Sequence, residues 1–233
     1  MSRVLKIGHR GAAGHAPENT LAAVQKGIDL GVDFVEIDVR RTADDALVAL
    51  HDPTVNRTTN GKGRVDSLSL RELRTFDAGN GEHVPTVEEV LKTAAGRAGV
   101  MLELKIAGVA HLTVQAVRKL RFENPVIYAS FLHDELTKVR AAAPEAALMV
   151  LFEKLPRTPV AYAMQYRPHY VGLRHDTANQ RVVEAFHREN LGVWVYTANS
   201  PGHIRRVLSL GVDGVISNFP ERINTSASII WPE

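Results

Sequence analysis

Glu36 and Asp38 stand two residues apart in the apolar run Phe34 to Val39. On a strand, period-two geometry puts both carboxylates on one face. Two acids turned into a packed interior are costly unless neutralised, and a hard divalent cation such as Mg²⁺, Ca²⁺ or Mn²⁺ neutralises them through carboxylate oxygens. The alternative is that both point outward into water. Glu103 and Lys105 repeat the spacing in Met101-Leu102-Glu103-Leu104-Lys105, where the leucines mark the opposite face; read alone they could be a cross-strand ion pair and nothing more. His9-Arg10-Gly11 ends the first apolar run, and the small-residue loop after it closes with Asn19 or Thr20 as a helix N-cap. Gly11 and Gly14 would let backbone N–H groups approach a phosphate, which Arg10 could grip as a bidentate fork; the same loop could also be only a tight turn. His51-Asp52-Pro53 follows the run Leu47 to Leu50. Two histidines, three carboxylates, an arginine and a lysine on one rim suit acid–base cleavage of a phosphodiester, which needs two groups titrating near neutrality. The other histidines show no such convergence and read as surface or packing residues.

Something must bring these groups together. Strand-like runs recur at Val4 to His9, Phe34 to Val39, Leu47 to Leu50, Val100 to Leu104, Val126 to Phe131, Ala147 to Phe152, Tyr170 to Leu173, Val193 to Thr197 and Gly214 to Ile216. Between most of them lie amphipathic helical segments, Leu21 to Leu30, Leu112 to Leu120, Glu135 to Ala143, Val182 to Arg188 and Ile204 to Leu210. This alternation predicts parallel strands with helical crossovers. No crossover helix fits between Val39 and Leu47, so Leu47 to Leu50 reads as the returning arm of a hairpin, with a turn between Asp44 and Asp45 that sets Asp38 opposite His51. Eight parallel strands remain, an α/β (βα)₈ TIM-type barrel whose active site belongs at the carboxyl ends of the strands. Turn residues Asn60-Gly61 and Gly63 and helices over Leu70 to Phe76 and Thr86 to Ala95 describe an excursion over the barrel mouth. The expected organisation is one domain over 1–233 with a small insertion at about 53–85.

Composition narrows the partners. The chain has 233 residues, 45% of them apolar, enough to bury a large core. Its 28 basic and 26 acidic residues are scattered, so no nucleic-acid stripe or polybasic membrane patch appears, and a small molecule is the expected partner. The absence of cysteine excludes thiolate sites and a cysteine nucleophile. No signal peptide or membrane span is read, and the cytoplasm is the expected compartment; oligomeric state is not legible.

The chain closely resembles the glycerophosphodiester phosphodiesterase family. The likeness rests on His9-Arg10-Gly11, Pro17-Glu18-Asn19-Thr20, Glu36-Ile37-Asp38-Val39, Leu47-Val48-Ala49-Leu50-His51-Asp52, Arg57-Thr58-Thr59-Asn60-Gly61, Val84-Pro85-Thr86-Val87-Glu88-Glu89-Val90, Glu103-Leu104-Lys105 and Ala129-Ser130-Phe131. It implies hydrolysis of glycerophosphodiesters to glycerol 3-phosphate and an alcohol. It also implies a divalent cation on Glu36, Asp38 and Glu103, His9 and His51 as the acid–base pair, Arg10 and Lys105 on the phosphate, and Phe131 in the glycerol wall. Two departures stand out. Tyr196-Thr197-Ala198-Asn199 replaces a family stretch that begins with tryptophan, so the wall gains a hydroxyl. Ser217-Asn218 replaces Thr-Asp after the last strand, a neutral amide for a carboxylate, in a place expected to leave the catalytic constellation untouched. A short Ala78 to His83 segment predicts a small lid and an open mouth. Chain order suggests His9 as general base and His51 as general acid. Two rivals are a Schiff-base aldolase using Lys105 and an inactive barrel that only binds glycerophosphodiesters.

Overall fold

Short, largely apolar runs form the strands, and apolar residues spaced by three and four form the helices between them. The computed structural model describes residues 3–223, so Met1, Ser2 and 224–233 of the expected domain lie outside the described residues. In chain order the elements are β1 (Leu5–Gly8), α1 (Leu21–Asp29), β2 (Phe34–Arg41), β3 (Leu47–Ala49), α2 (Leu70–Leu73), α3 (Val87–Ala94), β4 (Gly99–Leu104), α4 (Ala110–Lys119), β5 (Val126–Ser130), α5 (His133–Ala142), β6 (Ala147–Phe152), α6 (Pro159–Met164), β7 (Tyr170–Arg174), α7 (Gln180–Arg188), β8 (Gly192–Tyr196), α8 (Pro201–Ser209) and β9 (Gly214–Ser217). Single 3₁₀ turns form at Val65–Ser67 and Pro220–Arg222.

Strands β1, β2 and β4 to β9 are parallel, and pairing of β1 with both β2 and β9 closes them into a barrel. The expected (βα)₈ architecture is the one observed. Strand β3 lies antiparallel to the end of β2, as a hairpin arm should, but its register differs from expectation by one residue. Val39 pairs with Ala49, and the Leu50 N–H donates to the Asp38 carbonyl at 2.9 Å, so Asp38 faces Leu50 and not His51. The turn explains the shift. Ala43, Asp44 and Asp45 make a three-residue loop in which Asp45 takes a left-handed φ of 62° and Thr42 N–H donates to the Ala46 carbonyl.

Two apolar layers fix which way the strand side chains point. Val35, Ile37, Val39, Val100, Leu102 and Leu104 pack outward into the layer beneath the helices. Ile7, Met101, Ile127, Met149, Leu151, Trp194 and Ile216 fill the barrel. Alternation then leaves Glu36, Asp38 and Glu103 no choice but the interior. Trp194 is completely buried, with Phe34 and Tyr170 each 5.3 Å from it between ring centroids. Gly214 admits it, since a Cβ there would lie 2.8 Å from the indole. The segment after β3 packs with Val48 of that strand into a small core of Val48, Leu50, Val55, Val65, Leu73, Ala78 and Val84. Helix α2 stops at Leu73, earlier than its periodicity suggests, and α6 was not foreseen. Among the described residues, no helix is long and apolar enough to cross a membrane.

Candidate active site

The carboxyl ends of β1, β2 and β4 and the residues after β3 converge on a cavity of about 460 Å³. It is lined by His9, Arg10, Glu36, His51, Glu103, Lys105, Phe131 and Tyr196, together with Glu153 and Thr197, which the sequence did not single out. Eight of the nine expected site residues therefore meet in one space. The ninth, Asp38, is buried beside it.

Asp38 and Glu103 are register partners across β2 and β4, and Glu36 lies two residues earlier on β2. One oxygen from each of the three lies within 4.8 Å of the others. Asn19 supports Asp38 from both sides. Its amide donates to Asp38 Oδ2 at 2.8 Å and its carbonyl accepts from the Asp38 N–H at 3.2 Å. Asn19 was expected as a possible N-cap, but Thr20 takes that role, accepting from Ala23 N–H, and Asn19 is free for the carboxylate. Burial, then the charges of Asp38 and Glu103, raise the Glu36 carboxyl well above its usual range. Burial and Asp38 also push Glu103 up to about 7 despite Lys105. Asp38 is buried too, yet the charges of Lys105 and Arg10 hold it below the ordinary range. Glu36 Oε1 is buried without a hydrogen-bond partner. An unsatisfied oxygen among three converging acids is what a hard divalent cation would fill, so the residues fit such an ion.

Two cations flank the acids. Lys105 Nζ lies 2.5 Å from Glu103 Oε1 and 3.4 Å from Asp38 Oδ1, with the Phe131 ring 5.8 Å away. Arg10 Nη1 donates to Glu18 at 2.6 Å, while its Nε lies 3.3 Å from Asp38 Oδ2. Arg10 holds a left-handed φ of 50°, which aims its N–H at Glu36 Oε2, 2.8 Å away. The glycines after it do not form the expected phosphate cradle. Gly11 N–H donates to the Glu36 carbonyl and Gly14 N–H to the Asn218 carbonyl, each at 3.0 Å. Gly11 serves close packing instead, since a Cβ there would lie 2.4 Å from the Ala23 carbonyl carbon.

The two histidines are held differently. His9 Nδ1 lies 2.5 Å from Asn218 Oδ1, an acceptor that assigns the proton to Nδ1 and leaves Nε2 unprotonated, 3.9 Å from Glu36 Oε2. Burial, aided by the Arg10 charge, lowers the His9 pKa to about 4, so the ring is neutral near pH 7. Asn218 thus reaches the constellation that its substitution was expected to leave alone. His51 Nδ1 lies 2.7 Å from Asp52 Oδ1. Asp52 accepts in turn from Arg57 Nε at 2.8 Å and Nη2 at 3.1 Å, and hydrogen bonds from Arg57 hold its carboxyl well below the usual range. Phe131 and Tyr196 meet edge to face at 5.8 Å as one apolar wall. The Tyr196 hydroxyl donates to the Phe152 carbonyl at 2.7 Å, so the expected extra polar group is spent on the backbone.

This arrangement can neutralise and orient a phosphodiester, take a proton on one side and give one on the other. Residues 9–222 match the sequence profile of the Glycerophosphoryl diester phosphodiesterase family. A glycerophosphodiester phosphodiesterase of Caldanaerobacter subterraneus is 31% identical over 234 residues, covering 95% of this chain and 96% of that protein. One from Bacillus altitudinis is 31% identical over 233 residues, covering 92% and 94%. Among solved structures, an Oleispira antarctica phosphodiesterase in complex with the product sn-glycerol-3-phosphate aligns with a TM-score of 0.88 at 27% identity, over 95% of each chain.

Proposed function

This chain belongs to the glycerophosphoryl diester phosphodiesterase family, and we propose that it hydrolyses its diesters with a divalent cation and a histidine acid–base pair. Membership makes it a phosphodiesterase acting on glycerophosphodiesters. The observation that carries the finer reading is the convergence of Glu36, Glu103, His9 and His51 on one cavity, with Asp38 beside it. Glu36, Asp38 and Glu103 would hold Mg²⁺, Ca²⁺ or Mn²⁺, which when bound supplies a Lewis acid for the oxygens of the diester.

The protein's own groups do the rest. Arg10 and Lys105 hold the phosphate and oppose its charge. His9, neutral and with Nδ1–H tied to Asn218, takes on Nε2 the proton of the nucleophile, whether water or the adjacent glycerol hydroxyl. The new phosphorus–oxygen bond forms as the bond to the alcohol breaks, and His51 delivers a proton to the departing oxygen. Where the glycerol hydroxyl attacks, water opens the resulting cyclic phosphate in a second displacement, with the two histidines exchanging roles, to give glycerol 3-phosphate. Phe131 and Tyr196 wall the glycerol. One domain, with the segment at about 53–85 as its insertion, would carry the whole reaction on a small-molecule substrate in the cytoplasm.

The aldolase reading fares poorly. Lys105 is partly buried, but Glu103 and Asp38 hold its pKa above the ordinary value, which keeps it a charged, non-nucleophilic ammonium. The direct test is release of sn-glycerol 3-phosphate from glycerophosphocholine. The wild type is expected to release it, and His9→Ala and His51→Ala to lose about 10²- to 10⁴-fold in rate. Wild-type rates from both variants would reject the histidine pair.

A further inference from the structure

Arg57 lies in the loop after β3 and is half exposed, yet its whole guanidinium fork is engaged. Nε and Nη2 hold the two oxygens of Asp52, at 2.8 and 3.1 Å. Nη1 and Nη2 hold the two oxygens of Glu18, each at 2.8 Å. Isolated surface ion pairs contribute little, but a doubly bidentate arginine is the geometry in which they act as a unit.

Each partner of Arg57 ends at a residue of the cavity. Asp52 Oδ1 meets His51 Nδ1, and Glu18 Oε1 meets Arg10 Nη1 at 2.6 Å. An unbroken line of contacts therefore runs from His51 through Asp52, Arg57 and Glu18 to Arg10. Its two halves come from different parts of the chain, the loop before α1 and the loop after β3. The first of these parts also meets the segment between α2 and α3, since the N–H of Ala22, at the start of α1, donates to Glu82 at 3.2 Å and a Cβ on Gly79 would lie 3.0 Å from Pro17. Hydrogen bonds from Arg57 hold Glu18 below its usual range although burial alone would raise it. Both carboxylates are thus fixed as acceptors.

We infer that Arg57 is a positioning residue that locks the His51–Asp52 pair to the Arg10–Glu18 pair, so that the proton donor and the phosphate-binding arm keep one fixed relation. This rests on the roles proposed above for His51 and Arg10. A side chain outside the cavity would then control leaving-group protonation. Arg57→Lys keeps the charge but loses the planar fork, and it should not substitute.

The experiment combines kinetics with a readout that needs no turnover. Against glycerophosphocholine, Arg57→Ala and Arg57→Lys should each lose about 10- to 100-fold in kcat, as expected for a group that orients a functional one. Against a p-nitrophenyl glycerophosphodiester, whose phenolate leaves without a proton, the loss should shrink to within about threefold. Guanidinium at tens of millimolar should recover part of the Arg57→Ala rate, with no recovery in Arg57→Lys, whose side chain fills the gap. In ¹⁵N spectra of the histidine rings, the hydrogen-bonded Nδ1 proton of His51 should be lost in Arg57→Ala and return with guanidinium. Equal losses on both substrates with an unchanged His51 ring would overturn the inference, as would wild-type kinetics. If the wild type cleaves neither substrate, the functional reading fails, and the ring spectra still decide whether Arg57 holds His51.

Discussion

Asp38 and Glu103 are register partners on adjacent parallel strands, and both turn into the barrel beside Glu36. Without a cation, this closeness opposes folding. The ordinary glutamate carboxyl ionises near 4.5, whereas Glu103 keeps its proton up to about 7. Between those values the folded state binds more protons than the unfolded state, so stability falls as pH rises through the window. Glu103→Gln removes that dependence. In metal-free protein, the melting temperature of Glu103→Gln minus that of the wild type should increase from pH 4.5 to 7 and not fall above it, because the Glu36 carboxyl, which the Glu103 charge also raises, is relieved in the variant. His9, lowered from 6.5 to about 4, gives an opposite trend, but it is common to both proteins and cancels in the difference. About 1 kcal/mol corresponds to about 2–4 °C in a chain of this size. A variant that melts lower at every pH would show that Glu103 makes a structural contact outweighing the repulsion.

Asn218 accepts from His9 with a neutral carbonyl. In Asn218→Asp the acceptor becomes a carboxylate, which favours the protonated imidazole and raises the His9 pKa from about 4. A general base must be neutral to act. The acidic limb of the kcat/KM profile should therefore move up by about one pH unit, with little change above pH 8. An unmoved limb would mean that His9 is not the base that the limb reports.

The Tyr196 hydroxyl is bound to the Phe152 carbonyl. Tyr196→Phe should lose about 0.5–1.5 kcal/mol of stability and keep its KM for glycerophosphocholine. A KM raised tenfold or more would place that hydroxyl on the substrate.

Alternation in the strand runs made the barrel and the inward acids legible, because Val35, Ile37 and Val39 claim the outer face and leave Glu36 and Asp38 the inner one. The hairpin register was not legible, since aspartate tolerates the left-handed region but Asp44 and Asp45 share that tolerance, and residue type does not say which of them turns. Helix α6 is short and carries a proline at its start, which blurs its periodicity. Supporting residues leave the weakest trace in the sequence. Glu18, Asn19 and Arg57 lie within the stretches that carry the family resemblance, but their partners are distant in sequence, and only folding shows that Asn19 serves Asp38. Asn218 departs from the family pattern, yet its bond to His9 spans 209 positions of chain.

The most direct test of a cation-dependent phosphodiesterase is the release of sn-glycerol 3-phosphate from glycerophosphocholine before chelation, after it, and after metal is returned. The geometry of Glu36, Asp38 and Glu103 predicts that a strong chelator abolishes release and that Mg²⁺, Ca²⁺ or Mn²⁺ restores it in the wild type but not in Glu36→Gln. Full activity in verified metal-stripped protein would contradict it.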